Sequence, residues 1–130
     1  MDITLISTAS YPSDQGIRTI SSVLKKANHR VNLIFMALSE DYSRNYTKEE
    51  LIQLAKICKN NQLIGISAYA STSHRASRII SFLKKKFIVP IIYGGVHATI
   101  SPEDCIKYSD IVCVGEGEET IIELVNAIEK

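Results

Sequence analysis

Two glycine-opened segments hold the residues whose types and spacing could do chemistry. They are Tyr93-Gly94-Gly95-Val96-His97-Ala98-Thr99 and Asp110-Ile111-Val112-Cys113-Val114-Gly115-Glu116-Gly117-Glu118-Glu119-Thr120. Each follows an apolar, strand-like run. In an open α/β sheet, ligands bind beyond the carboxyl ends of the strands, so two such loops on neighbouring strands outline one wall of a site. Gly94-Gly95 removes side chains where a strand ends and lets a flat ligand or another backbone approach closely. His97, two residues on, suits a hydrogen-bonding role at that loop. Glu118 and Glu119 complement the positive end of the helix they open. Acids there would repel a phosphate, which favours a ligand bound through hydroxyl, amide or base edges.

Two further loops are rich in small hydroxylic residues. Thr8-Ala9-Ser10-Tyr11-Pro12-Ser13-Asp14-Gln15-Gly16 leads into a helix N-terminus. It is either an anion cradle or a loop capped by its own Ser and Asp side chains. Ser67-Ala68-Tyr69-Ala70-Ser71-Thr72-Ser73-His74 allows a bulky ligand close and offers it hydrogen bonds. Ser71 or Thr72 could serve as a helix cap there, whereas Ser67 and Tyr69 are not needed for one. His74 falls in the first turn of a helix, with no second His or Cys at metal-binding spacing, and is expected to be exposed. No nucleophile, acid or base is paired for turnover, so no catalytic residue and no protein metal ligand is assigned.

The elements that position these loops alternate between β-rich runs and helix-period segments, which predicts a parallel sheet with helices on both faces. The strands are expected at about Ile3–Ser7, Val31–Met36, Leu63–Ala68, Ile88–Tyr93 and Asp110–Val114. The second is apolar enough to read as buried on both faces. Pro90 fits only at the beginning of the fourth, because a central strand needs every backbone N–H. The first helix begins near Gly16, places Ile17, Ile20, Leu24 and Ala27 on one face, and closes at Asn28-His29. Thr47 with Glu50 has the form of a capping box for the second, in which Leu51, Leu54, Ala55 and Cys58 keep helical spacing. Ala76, Ile79, Ile80 and Leu83 repeat that spacing in the third. Ser101-Pro102 reads as an N-cap with proline at N1, opening a short helix over Pro102–Lys107. The last helix runs from Glu118 and buries Ile121, Val125 and Ile128. The fold class is thus α/β, three-layer and Rossmann-like (flavodoxin-like), with a five-stranded parallel sheet whose order is expected, by analogy with flavodoxin-like folds, to be 2-1-3-4-5.

At 130 residues and 45% hydrophobic composition, one domain with one sizeable core is expected over residues 1–130. A formal net charge of +1, from 15 basic and 14 acidic residues, removes any general electrostatic case for nucleic acid or an anionic membrane as partner. Lys84-Lys85-Lys86 reads as a solvated helix end. The apolar run Phe87–Tyr93 is far short of the roughly 20 residues that span a bilayer, and no secretory signal is visible, so a cytoplasmic location is expected. Cys58, Cys105 and Cys113 match neither a disulfide framework nor a metal cluster; they are expected as reduced thiols, with Cys58 and Cys113 in the core.

The pattern G-G-x-H-A-T, then P-E, then D-x-V-x-x-G-E-G-E-x-T resembles the N-terminal cobalamin-binding domain of B12-dependent radical S-adenosylmethionine proteins. The resemblance extends upstream through Tyr11-Pro12 and Gly16, the A-N-H-R-V segment Ala27–Val31 (like the family's A-G-H-x-V), and Gly65-Ile66-Ser67. It implies a domain holding cobalamin, vitamin B12, at the carboxyl end of the sheet, with the dimethylbenzimidazole tail between sheet and helices. Ser67, Tyr69, Ser71 and Thr72 would then line the tail channel; Gly94, Gly95 and His97 would flank it, and Gly115, Glu116 and Gly117 would close it. Cobalamin-dependent mutases and methionine synthase carry a cobalt-ligating histidine in D-x-H-x-x-G after the first strand. Tyr11–Gly16 has no histidine, so the cobalt is expected without a protein imidazole.

The C-x-x-x-C-x-x-C motif that holds the 4Fe–4S cluster in such enzymes does not occur here. The iron–sulfur cluster, S-adenosylmethionine and the radical chemistry, methyl transfer among the possibilities, are therefore expected on a C-terminal radical S-adenosylmethionine domain or a partner chain, and this chain alone is expected to catalyse nothing. Two alternatives stand beside this one. One is a degenerate B12-binding-like domain with a structural or docking role and no corrin. The other is a flavodoxin-like FMN electron carrier, suggested by Ser7-Thr8-Ala9-Ser10, although that loop lacks a cradle glycine and the chain has no Trp to stack on a flavin. A receiver domain would need an aspartate where the third strand ends in Ser67.

Overall fold

In the computed structural model, which describes residues 1–9, 14–39 and 41–130, five strands form one parallel sheet of order β2-β1-β3-β4-β5. The strands are β1 (Asp2–Ser7), β2 (Arg30–Phe35), β3 (Leu63–Ser67), β4 (Ile91–Gly94) and β5 (Ile111–Val112). The helices are α1 (Gln15–Lys26), α2 (Lys48–Cys58), α3 (Ser73–Lys86), α4 (Val96–Ile100), α5 (Pro102–Cys105) and α6 (Glu118–Glu129). The fold class and strand order read from the sequence are those observed.

Alternation along the strands divides the core between two layers. Ile3, Leu5, Leu63 and Ile92 pack against Ile17 and Leu24 of α1 and Ile121 and Val125 of α6. Ile64, Ile66, Ile91 and Tyr93 pack against Leu51, Leu54, Ala55 and Cys58 of α2 and Ala76, Ile79, Ile80 and Leu83 of α3. Each such aliphatic side chain gains about 1.5–3 kcal/mol by leaving water. The helix ends follow local rules. Thr47 and Glu50 form the reciprocal capping box of α2, a cap typically worth about 1 kcal/mol. Asp14 caps α1, accepting from the Ile17 amide and from the Ser7 hydroxyl. Past its end Asn28 takes the left-handed conformation that Asn tolerates, φ 69°.

Several expectations needed correction. β2 is not buried on both faces: as an edge strand it is exposed or half-buried throughout, because a strand's cover depends on its place in the sheet. Pro90 lies before β4, where its carbonyl accepts from the Ile64 amide and its missing N–H costs no ladder bond. The fifth strand shrinks to two residues. Cys105, not Cys113, joins Cys58 in the core, and Cys113 is half-buried; all three are free thiols. Ser101 makes no side-chain cap bond to α5, which it opens through its carbonyl instead. The stretch after β4, read as a loop, contains α4, and a single 3₁₀ turn over Ala70–Thr72 precedes α3. The Tyr11-Pro12 part of the resemblance and the middle of the loop after β1 lie outside the described residues.

Asp110 locks the start of β4 to the neighbouring edge. Its carboxylate takes the Lys84 ammonium at 2.9 Å and the Ile91 amide at 2.9 Å, while its own amide donates to the Ile91 carbonyl. Burial by itself would raise its pKa, but the bonds from Lys84 and Ile91, with the Lys84 charge, hold it below the ordinary 3.8. A depressed folded-state pKa contributes stability above the unfolded value and loses it as pH falls through the folded one. Asp110→Asn is therefore expected to be less stable than the natural protein by a constant margin above about pH 5. The margin should close below the ordinary value of 3.8. Denaturant melts across that range check this, and a margin that stays fixed down to acid would contradict it.

Candidate functional site

A cleft of about 940 Å³ lies between the sheet and the α1/α6 layer and opens at the carboxyl ends of β3, β4 and β5. Small-molecule sites usually enclose roughly 300–1,000 Å³. Register explains why it is there. Leu5, Gly65 and Ile92 are direct partners across three adjacent strands, so the row facing α1 and α6 has a hydrogen atom at its centre instead of a side chain. The next row on that face, Ser7, Ser67 and Gly94, is small throughout. Ile17 and Ile20 of α1 and Ile121 of α6 form the opposite wall. The floor and wall are thus apolar, and the polar groups gather at the open end.

That end is built by the two glycine loops. Gly95 has φ 90°, and a Cβ there would overlap the Ser67 hydroxyl, so the turn both requires glycine and brings the chain against β3. Thr99 of α4 joins the loops: its hydroxyl donates to the Gly95 carbonyl at 3.1 Å and accepts from the Gly115 amide at 3.0 Å. Asp14, Glu116 and Glu118 are the charged residues of the lining, with no Lys, Arg or His among them. The Cys113 thiol also lines the cleft, and its pKa is pushed up by burial and by the Glu118 charge, which keeps it protonated at neutral pH.

The structure brings together Ser67, Tyr69, Gly94, Gly95, Gly115, Glu116 and Gly117 around this cleft. Ser71, Thr72 and His97 do not line it. Ser71 is exposed. Thr72 is buried, with its hydroxyl accepting from the Tyr69 amide at 3.0 Å and lying 2.9 Å from the Thr8 hydroxyl, so it braces the turn into α3. His97 is 9% exposed, and its Nε2 pairs with the Asp104 carboxylate at 2.9 Å. With its backbone amide on the Ala68 carbonyl, it fastens α4 to β3 and to α5. His74 is exposed, as expected, and lies against the Arg44 carbonyl. His29 faces the Met1 amine and Glu129.

The lining residues not singled out beforehand are chiefly apolar: Leu5, Ile17, Ile20, Gly65, Ile92 and Ile121. By sequence they are ordinary core positions. Gly65, one glycine inside a β-rich run, was the available signal, because such a glycine marks close approach of a ligand or another backbone. Thr99 carried a signal only as the last residue of G-G-x-H-A-T. Among the described residues, no group of His, Cys, Asp and Glu could hold a metal ion, and no helix is long and apolar enough to cross a membrane.

Residues 1–125 match the family model of the B12 binding domain. One similar curated protein is the anaerobic magnesium-protoporphyrin IX monomethyl ester cyclase of Synechocystis sp., 29% identical over 118 residues that cover 88% of this chain and 23% of the cyclase. Among solved structures, a similar one is the radical S-adenosylmethionine methyltransferase TsrM from Kitasatospora setae, with cobalamin and a 4Fe–4S cluster bound. It superposes with a TM-score of 0.78 at 17% identity, over 98% of this chain and 24% of that one. The chain thus spans about a quarter of the length of either relative.

Proposed function

Because this chain belongs to the B12-binding domain family, we propose that it is the cobalamin-holding domain of a larger radical S-adenosylmethionine enzyme of methyltransferase-like type. The observation that carries this reading is the cleft over the Leu5–Gly65–Ile92 row. Its apolar floor and wall suit the flat aromatic base of the nucleotide tail, and its opening at the carboxyl ends of β3, β4 and β5 suits insertion of an arm between sheet and helices. A large side chain at Gly65 would intrude on it: even a Cβ there comes within 2.7 Å of the Leu5 side chain. The residues present therefore fit the group.

In this reading Leu5, Gly65, Ile92, Ile17 and Ile121 exclude water from the tail. The Ser67 hydroxyl, which has no partner among the described residues, and Tyr69 offer hydrogen bonds at the rim. Gly94, Gly95, Gly115 and Gly117 admit the corrin edge to the backbone, and Thr99 keeps the two loops at a fixed separation. None of the three histidines lines the cleft, which supports binding without a protein imidazole on cobalt. The bound corrin supplies cobalt chemistry for methyl transfer; the radical step, with its 4Fe–4S cluster and S-adenosylmethionine, belongs to a further domain or partner chain.

Hydroxocobalamin mixed with the purified protein is expected to co-elute on gel filtration with a base-off absorbance spectrum. A colourless protein peak would overturn the reading and leave the corrin-free docking module ahead. Titration with FMN is expected to give no binding. Asp14 occupies the α1 N-terminus and acids alone charge the cleft mouth, so a terminal phosphate finds repulsion where a flavodoxin-like carrier needs donors.

A further inference from the structure

On the opposite layer, a second groove of about 680 Å³ runs between α2 and α3. Its floor holds the half-buried ring of Phe82 above the buried Leu51, Asn45, Ser77 and Ser81 line its sides, and its rim carries Lys48, Arg78 and Lys85 with no carboxylate in the lining. Elsewhere Arg30 is paired with Asp2 and Lys84 with Asp110, but among the described residues no ion pair engages Lys48, Arg78 or Lys85. Among the described residues Arg78 donates only its Nε, to the Tyr46 carbonyl, which leaves the outer guanidinium nitrogens available to a partner. Lys86 adds a fourth charge where its ammonium sits 5.1 Å from the centre of the Phe82 ring.

We infer that this groove is a docking surface for an acidic amphipathic helix of a protein partner. Three cations outside any ion pair around the half-buried Phe82 ring complement a helix whose carboxylates flank a leucine-like side chain; a free inorganic anion would leave the ring uncovered. Spacing sharpens the match. Arg78 and Lys85 lie seven residues apart on α3, two turns or about 10.5 Å, so the partner's carboxylates belong at i and i+7 with its apolar residues between them. A second copy of this chain fits less well. The exposed pair Glu119 and Glu123 of α6 is four residues apart and lies on the other layer, so copies joined through it would meet head to tail without closing. The inference does not depend on what the cleft binds.

The test uses fluorescence anisotropy with a labelled alanine-based helical peptide that carries two glutamates seven residues apart and leucines between them. A glutamine version of the peptide is the control. The variant Lys48→Glu/Lys85→Glu removes two charges whose side chains make no bond among the described residues. The variant Lys25→Glu/Lys26→Glu makes the same charge change at the end of α1, away from the groove. Binding is expected to weaken at least tenfold for the glutamine peptide and for the groove variant, and to persist in the α1 variant. Equal binding of both peptides, equal loss in both variants, or sedimentation showing self-association that only the groove variant abolishes would overturn it.

Discussion

Leucine at position 65 is expected to abolish cobalamin uptake while leaving the domain folded. Gly65 is the centre of the row Leu5–Gly65–Ile92, and a side chain there points into the space between the sheet and the α1/α6 layer. The Cβ would come within 2.7 Å of Leu5 Cδ2, the far end of a flexible side chain that can turn aside. The leucine branches would then occupy the cleft itself. The folding cost is that of modest overpacking, about 1–2 kcal/mol, partly offset by the new apolar burial. The binding cost is the loss of the tail's seat, at least a hundredfold in affinity, or roughly 2.7 kcal/mol. Gly65→Ala should fall between, since one methyl displaces Leu5 without filling the cleft. Calorimetric titration with cobalamin, beside a thermal melt, reads both effects; unchanged affinity in the leucine variant would mean that the tail does not lie over this row.

The second large effect concerns Arg75, and it should be one of stability alone. This side chain is completely buried, yet its bonds go to backbone carbonyls: Nε to Arg44 at 3.1 Å, and one terminal nitrogen to Asp41 at 3.0 Å and Ser39 at 3.3 Å. Its other terminal nitrogen has no partner among the described residues, and the Tyr42 ring lies 5.4 Å from the guanidinium carbon. One residue of α3 thus holds the described part of the segment between β2 and α2 by three points. Arg75→Ala removes charge-assisted bonds worth about 1.5–3 kcal/mol each and returns the carbonyls to water. We expect a net loss of about 3 kcal/mol, or roughly 10 °C in melting temperature for a domain of this size. Arg75→Lys should recover less than half of it, because an ammonium lacks the planar fork that reaches several acceptors at once. Cobalamin affinity should not change, since α3 packs on the other face of the sheet, and the two substitutions should be additive in stability. A melt within 2 °C of the natural protein would refute the role given to Arg75.

Legibility differed between elements for physical reasons. The helices α2 and α3 announce themselves because each buries a single stripe whose spacing is the helical period, and the Thr47–Glu50 capping box is a purely local device. The alternation of elements points to a parallel sheet with crossovers of one hand, while the order 2-1-3-4-5 rests on analogy with flavodoxin-like folds. Burial was harder to read. The apolar run of β2 looks like a central strand although it is an edge, because hydrophobicity along a strand does not say how many neighbours it has. Arg75 stands outside the stripe of Ala76, Ile79, Ile80 and Leu83; it is buried by a segment some 30 residues earlier in the chain. His97 stands in the most suggestive motif of the sequence and turns inward to Asp104, a pairing decided by the way α4 folds back over α5.

The sequence by itself determined the fold class, a parallel α/β sheet, and the two glycine turns that follow its last two strands. Those depend on periodicity and on local backbone freedom, which are written residue by residue. Only the tertiary structure decided which side chains surround the cleft and which merely support it. An apolar wall is made from positions that look like core in every strand and helix, and it becomes a site only where register sets one glycine between two large neighbours.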